Sequence, residues 1–198
     1  MTPAPSAAPA AHIADWLEQL RAIRRDAASL TEGLSDAQLA WRPGPGRWSI
    51  AEVVAHLNRA GRPYLDLIAH ALAAARVRGA STGDRWRPTF VGGLMARSQE
   101  PPPRIRFRAP RIFRPDGDGA PPPAGAPELA TWRSLHQEME ERIREAAGVD
   151  LGRTRIVSPV TRLVRMNAGD AFALLLSHER RHLWQIRGIR EAAGFPAS

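Results

Sequence analysis

The chain has 198 residues, 43% of them hydrophobic and 24% charged, as in a soluble globular protein large enough for one well-filled core. It has no run of about 18 apolar residues, so a membrane span is excluded, and it has no cysteine, which removes disulfides, thiolate ligands and a cysteine nucleophile together. The net charge of +8 invites a nucleic-acid partner, but all 28 basic residues are arginine. With abundant Ala, Gly and Pro, that pattern reads as codon bias from a GC-rich genome, so nucleic acid is not an expected partner.

Residues 1–11 form an Ala/Pro-rich lead without a basic or hydrophobic signal region, so a cytoplasmic location is the default expectation. The first helix is predicted from about His12 to Gly33, with Ile13, Trp16, Leu17, Leu20, Ile23, Ala27 and Leu30 spaced by three or four. Ser35 with Gln38 marks a short helical turn, and the Arg42–Arg47 stretch, rich in Pro and Gly, cannot be helical. Ser49-Ile50-Ala51-Glu52 fits a capping box and opens a second helix through Val53, His56, Leu57, Tyr64, Ile68 and Leu72. Pro63 lies inside that helix and is expected to kink it.

A Pro/Gly-rich crossover follows over residues 79–125, with Pro-Pro-Pro at 101–103 and 121–123. So long a stretch without clear periodicity is expected to cover something. Arg104–Arg108 alternates and reads as a short extended piece, and Gly92–Arg97 as one helical turn. Arg104, Arg106, Arg108, Arg111 and Arg114 are expected on a solvated face. A third helix is predicted over Ala126–Ala147 and a fourth from about Gly169 to Ala193, stopped by Gly194-Phe195-Pro196. Four helices with one long crossover and no convincing strands predict an all-α four-helix bundle, a single domain over residues 1–198.

His178 and His182 stand four residues apart on the fourth helix, one turn apart on the same side, so both imidazoles can reach one ion. They share the face of Leu175, Ile186 and Ile189, which points to the core, where a neutral imidazole needs a partner. His56 lies on an inward face with Val53, Leu57 and Ala60. If the bundle brings it opposite the pair, His56, His178 and His182 make an open divalent-metal site. The competing reading is three separately hydrogen-bonded core histidines.

His70, fourteen residues beyond His56, lies about 21 Å along the helix axis and cannot join such a site. His136 points inward beside Trp132 and Met139. His12 is expected to be inert in the lead. Trp16, Trp41, Trp48, Trp86, Trp132 and Trp184 are expected mostly in the core, Trp48 and Trp184 included. Glu179, adjacent to His178, is expected to point away from the site.

The segments 46–57 (Gly-Arg-Trp-Ser-Ile-Ala-Glu-Val-Val-Ala-His-Leu) and 177–186 (Ser-His-Glu-Arg-Arg-His-Leu-Trp-Gln-Ile) resemble the two signature segments of the DinB-like superfamily. Within that superfamily of DinB/YfiT-like metalloenzymes, the chain is similar to the damage-inducible DinB branch. The resemblance implies a DinB-like four-helix bundle with a long Pro-rich crossover between its second and third helices. It also implies that His56, His178 and His182 bind a divalent metal, Zn²⁺ or Ni²⁺ being suited to imidazole. Relatives of this kind include S-transferases and isomerases that use a low-molecular-weight thiol, and metal-dependent hydrolases. The implied function is therefore metal-dependent chemistry on a small-molecule substrate. A thiol S-transferase leads, with a hydrolase and a non-catalytic, metal-stabilised stress-response bundle as alternatives. A homodimer is the expected assembly.

Overall fold

Glu52 fixes the start of the longest helix. Its backbone N–H donates to Ser49 Oγ (3.2 Å), while its carboxylate accepts from Ser49 N–H (2.8 Å). These are the two halves of a capping box. The same carboxylate takes a two-pronged contact from Arg42, at 2.8 Å from Nε and 2.7 Å from Nη2, tying the preceding loop to the helix. The helix that results, α3, runs Ile50–Val77 with Pro63 inside it. In this computed structural model the described residues are 10–79, 86–103, 108–115, 121–161 and 163–197.

Before α3 come α1 (Ala11–Thr31) and the five-residue α2 (Asp36–Ala40), the latter opened by the Ser35/Gln38 capping box. After it come α4 (Phe90–Gln99), a 3₁₀ turn (Arg111–Phe113), α5 (Gly125–Glu145), a hairpin of β1 (Arg155–Val157) and β2 (Arg165–Asn167), and α6 (Ala168–Arg190). Gly33 terminates α1 at φ 75°, in the left-handed region that a glycine occupies without a Cβ clash.

The four long helices form a ring in which α1 packs on α5 and α6, and α3 packs on the same two. The consecutive long helices α1 and α3 are therefore diagonal, as are α5 and α6. Ile13, Leu20, Ile50, Leu57, Leu65, Ile68, Leu72, Met139, Ile143, Phe172 and Leu176 are sealed between them. Such spacing is the 3.6-residue pattern expressed as packing.

Two expectations change here. The bundle carries an antiparallel hairpin pairing Ile156 with Met166, which three-residue strands were too short to announce. The single turn expected at Gly92–Arg97 is a ten-residue helix. Helix α1 begins at Ala11, close to the expected His12; residues 1–9 of the expected lead lie outside the described residues, as does most of the extended piece expected at Arg104–Arg108.

The crossover is pinned to α6 at both ends of α4. Asp170 accepts from the backbone N–H (3.2 Å) and hydroxyl (2.7 Å) of Thr89, the N-cap of α4. Gly92 lies so close that a Cβ there would stand 2.2 Å from the Asp170 carboxyl carbon. At the other end, Arg180 pairs with Glu100, and Arg181 donates to the Ser98 carbonyl at 3.1 Å. Among the described residues no helix is long and apolar enough to cross a membrane.

Candidate metal centre

His56 lies two turns into α3, behind the capping box, and is 2% exposed. Its Nδ1 sits 2.8 Å from the carbonyl oxygen of Phe113. A carbonyl can only accept, so Nδ1 carries the proton and Nε2 presents a lone pair. That lone pair points across to α6, where His178 Nε2 is 3.3 Å away. His182 Nε2 approaches the same atom at 3.1 Å, while its own Nδ1 faces Gln185 Oε1 at 3.0 Å.

The histidines read from the sequence thus meet, with one ligand atom from each lying within 4.8 Å of the others. With Nδ1 of His56 and His182 directed at oxygen acceptors, lone pairs converge on one point, an arrangement that a cation relieves. Zinc–imidazole bonds of about 2.0–2.1 Å in tetrahedral geometry place ligand nitrogens about 3.3 Å apart. The observed 3.1 and 3.3 Å fit that spacing. Among the described residues no carboxylate joins the cluster.

The electrostatics agree. Burial pushes His178 down to about 3, with the neighbouring His56 and Arg181 adding to the shift. Burial likewise holds His182 well below its ordinary range, with His178 and His56 contributing. In His56 the effect of burial is opposed by the Phe113 carbonyl and the Glu179 charge and reinforced by Arg59. The imidazoles are therefore neutral at physiological pH, as metal ligands must be.

Several surrounding residues differ from the sequence expectation. Trp48, expected in the core, is half-buried and lays its ring against His56 at a centroid distance of 5.1 Å. Trp184, also expected in the core, is 48% exposed. Glu179 lies outside the ligand cluster among the described residues and is buried at 4% exposure, with its Oε2 accepting from Trp132 Nε1 at 3.0 Å. His136 is buried beside it, stacked on Trp132 with Nε2 3.3 Å from Glu179 Oε1. His12 lies in α1 rather than in the lead and packs edge-on against Trp16 and Trp86. His70 is exposed and bonds the Asp66 carbonyl, away from the site as expected. Arg108 and Arg111 are exposed, while Arg114 is partly buried and donates to the Ala109 carbonyl.

The Phe113 carbonyl is a backbone group in the crossover and left no trace in the sequence. Gln185 stands three residues after His182, and that spacing alone would have flagged it as a partner on the same face of α6.

A family model described as the DinB superfamily matches residues 19–186. Among solved structures, the chain is similar to YfiT from Bacillus subtilis, described as a probable metal-dependent hydrolase with an unusual four-helix bundle topology. The two share 17% identity and a TM-score of 0.57 over 98% of this chain and 94% of that one, which establishes a common fold. No curated protein matches the chain.

Proposed function

The chain belongs to the DinB superfamily, and on that premise we propose that it is a metal-dependent enzyme that activates a low-molecular-weight thiol toward an electrophilic small molecule. The observation that carries the metal reading is the convergence of His56, His178 and His182 through Nε2, at 3.3 and 3.1 Å, with His56 and His182 buried and His178 half-buried. Zn²⁺ or Ni²⁺ suits such a set. When bound, a divalent ion with open positions lowers the pKa of a thiol or of water and so makes a nucleophile available near neutral pH.

The chain's own residues prepare that chemistry. Phe113 and Gln185 orient the rings of His56 and His182 through their Nδ1 atoms. Trp48 covers one side of His56 and limits water there. The ligand cluster contains no carboxylate among the described residues, so none is placed within it to take a proton from water. That favours a thiol, whose ordinary pKa of about 8.5 lies far below that of water. The chain has no cysteine, so the thiol comes from solution.

A second reading, hydrolysis with water as nucleophile, is favoured by the description attached to YfiT. The test is a screen of the zinc- or nickel-loaded protein against cellular thiols paired with model electrophiles, run beside ester and amide substrates. Turnover that requires the thiol supports the transferase. Turnover of esters or amides without it selects the hydrolase, and no turnover with either leaves a non-catalytic metal-stabilised bundle.

A further inference from the structure

We propose that Glu179 is the counter-charge of the metal centre: a buried carboxylate outside the ligand set that governs how tightly His56, His178 and His182 hold a divalent cation. The inference rests on the metal reading above and deepens it.

Three neutral imidazoles contribute no charge, so a bound dication leaves a net positive charge of two in a buried place. That is costly unless a negative group lies near. Glu179 is that group by position. It follows His178 directly and precedes His182 by three residues on α6, and it is 4% exposed. From the same stretch of α6 that carries His178 and His182, its carboxylate reaches Trp132 and His136 on α5.

The carboxylate is also poorly balanced without a cation. Its hydrogen bond comes from Trp132 Nε1, an uncharged donor on the diagonal helix α5. The imidazole of His136 stands 3.3 Å from its other oxygen, yet neither ring nitrogen of His136 makes a hydrogen bond among the described residues. No arginine pairs with Glu179 among those residues, although the chain carries 28. Among the described residues the buried Glu179 carboxylate thus meets Trp132 Nε1 and the His136 ring, and no cationic arginine.

The test is zinc affinity measured by competition with a chromogenic chelator, on wild type and Glu179→Gln. The amide oxygen still accepts from Trp132, so the substitution removes charge and little else. Affinity is expected to fall about tenfold or more, in the range seen when groups supporting metal ligands are replaced, and the zinc-induced rise in Tm shrinks with it. Trp132→Phe, which removes the N–H and keeps the charge, is expected to melt lower as apoprotein while binding zinc like wild type.

Equal zinc affinity in wild type and Glu179→Gln overturns the counter-charge. Loss of zinc in Trp132→Phe equal to the loss in Glu179→Gln also overturns it, since the carboxylate would then act only as an acceptor. Wild type that takes up no zinc removes the metal reading and this inference together, whereas normal uptake by both proteins removes the inference alone.

Discussion

His56 and Phe113 are 57 residues apart, yet the imidazole Nδ1–H of one donates to the backbone carbonyl of the other at 2.8 Å. Through this bond the crossover reaches the centre of the bundle and fixes which nitrogen of His56 faces α6. Next to it, Arg59 donates to the carbonyl of Arg114, so α3 holds the same segment at consecutive carbonyls. The crossover is thus part of the site rather than a bare connection.

Replacing Phe113 by alanine leaves all the histidines in place but frees the 3₁₀ turn, because the Phe113 side chain is its buried anchor at 5% exposure. Divalent-metal affinity is expected to drop about tenfold, the scale of losing a group that orients a ligand. A chelator titration reads this directly, and unchanged affinity would show that the carbonyl is dispensable.

Ser49→Ala removes the acceptor for the Glu52 N–H at the start of α3. The expected loss is about 1 kcal/mol of stability, read from denaturant unfolding with an unchanged m-value. Glu52 keeps its pair with Arg42 in this variant, so metal binding should survive.

The apoprotein should lose stability on acidification in a window set by the buried histidines. Their folded pKa values lie below the unfolded value of 6.5, His178 at about 3. The unfolded chain therefore binds more protons between those limits, so stability present above pH 6.5 drains away as pH falls toward 3. Thermal melts of metal-free protein across that range should show a falling Tm. His178→Gln should flatten the profile, and a Tm independent of pH would contradict the neutral state of the triad.

Much of this site was legible in the sequence because helices report themselves by period and by cap. Ser35/Gln38 and Ser49/Glu52 sit at the starts of α2 and α3 as the capping-box pattern required. The i, i+4 spacing put His178 and His182 on one side of α6, and the bundle brings His56 opposite them. The burial of Glu179 was not legible because one buried face was assumed. Its position is about 100° around the helix from His178, and α6 packs on α1, α3 and α4, so that direction is also interior. The length of α4 was hidden for the opposite reason: Phe90, Val91 and Leu94 are exposed, leaving no clear apolar stripe. The Phe113 carbonyl could not be read at all, since a backbone acceptor is present at every residue.

The central claim is that His56, His178 and His182 together hold one divalent ion, and elemental analysis of the purified protein tests it most directly. Wild type dialysed against zinc or nickel should retain one ion per chain, and the His178→Ala/His182→Ala double variant should retain none. The retained ion should also raise the Tm of wild type alone, since it binds only the folded site. Wild type without stoichiometric metal, melting at the same temperature with and without zinc or nickel, would contradict the account.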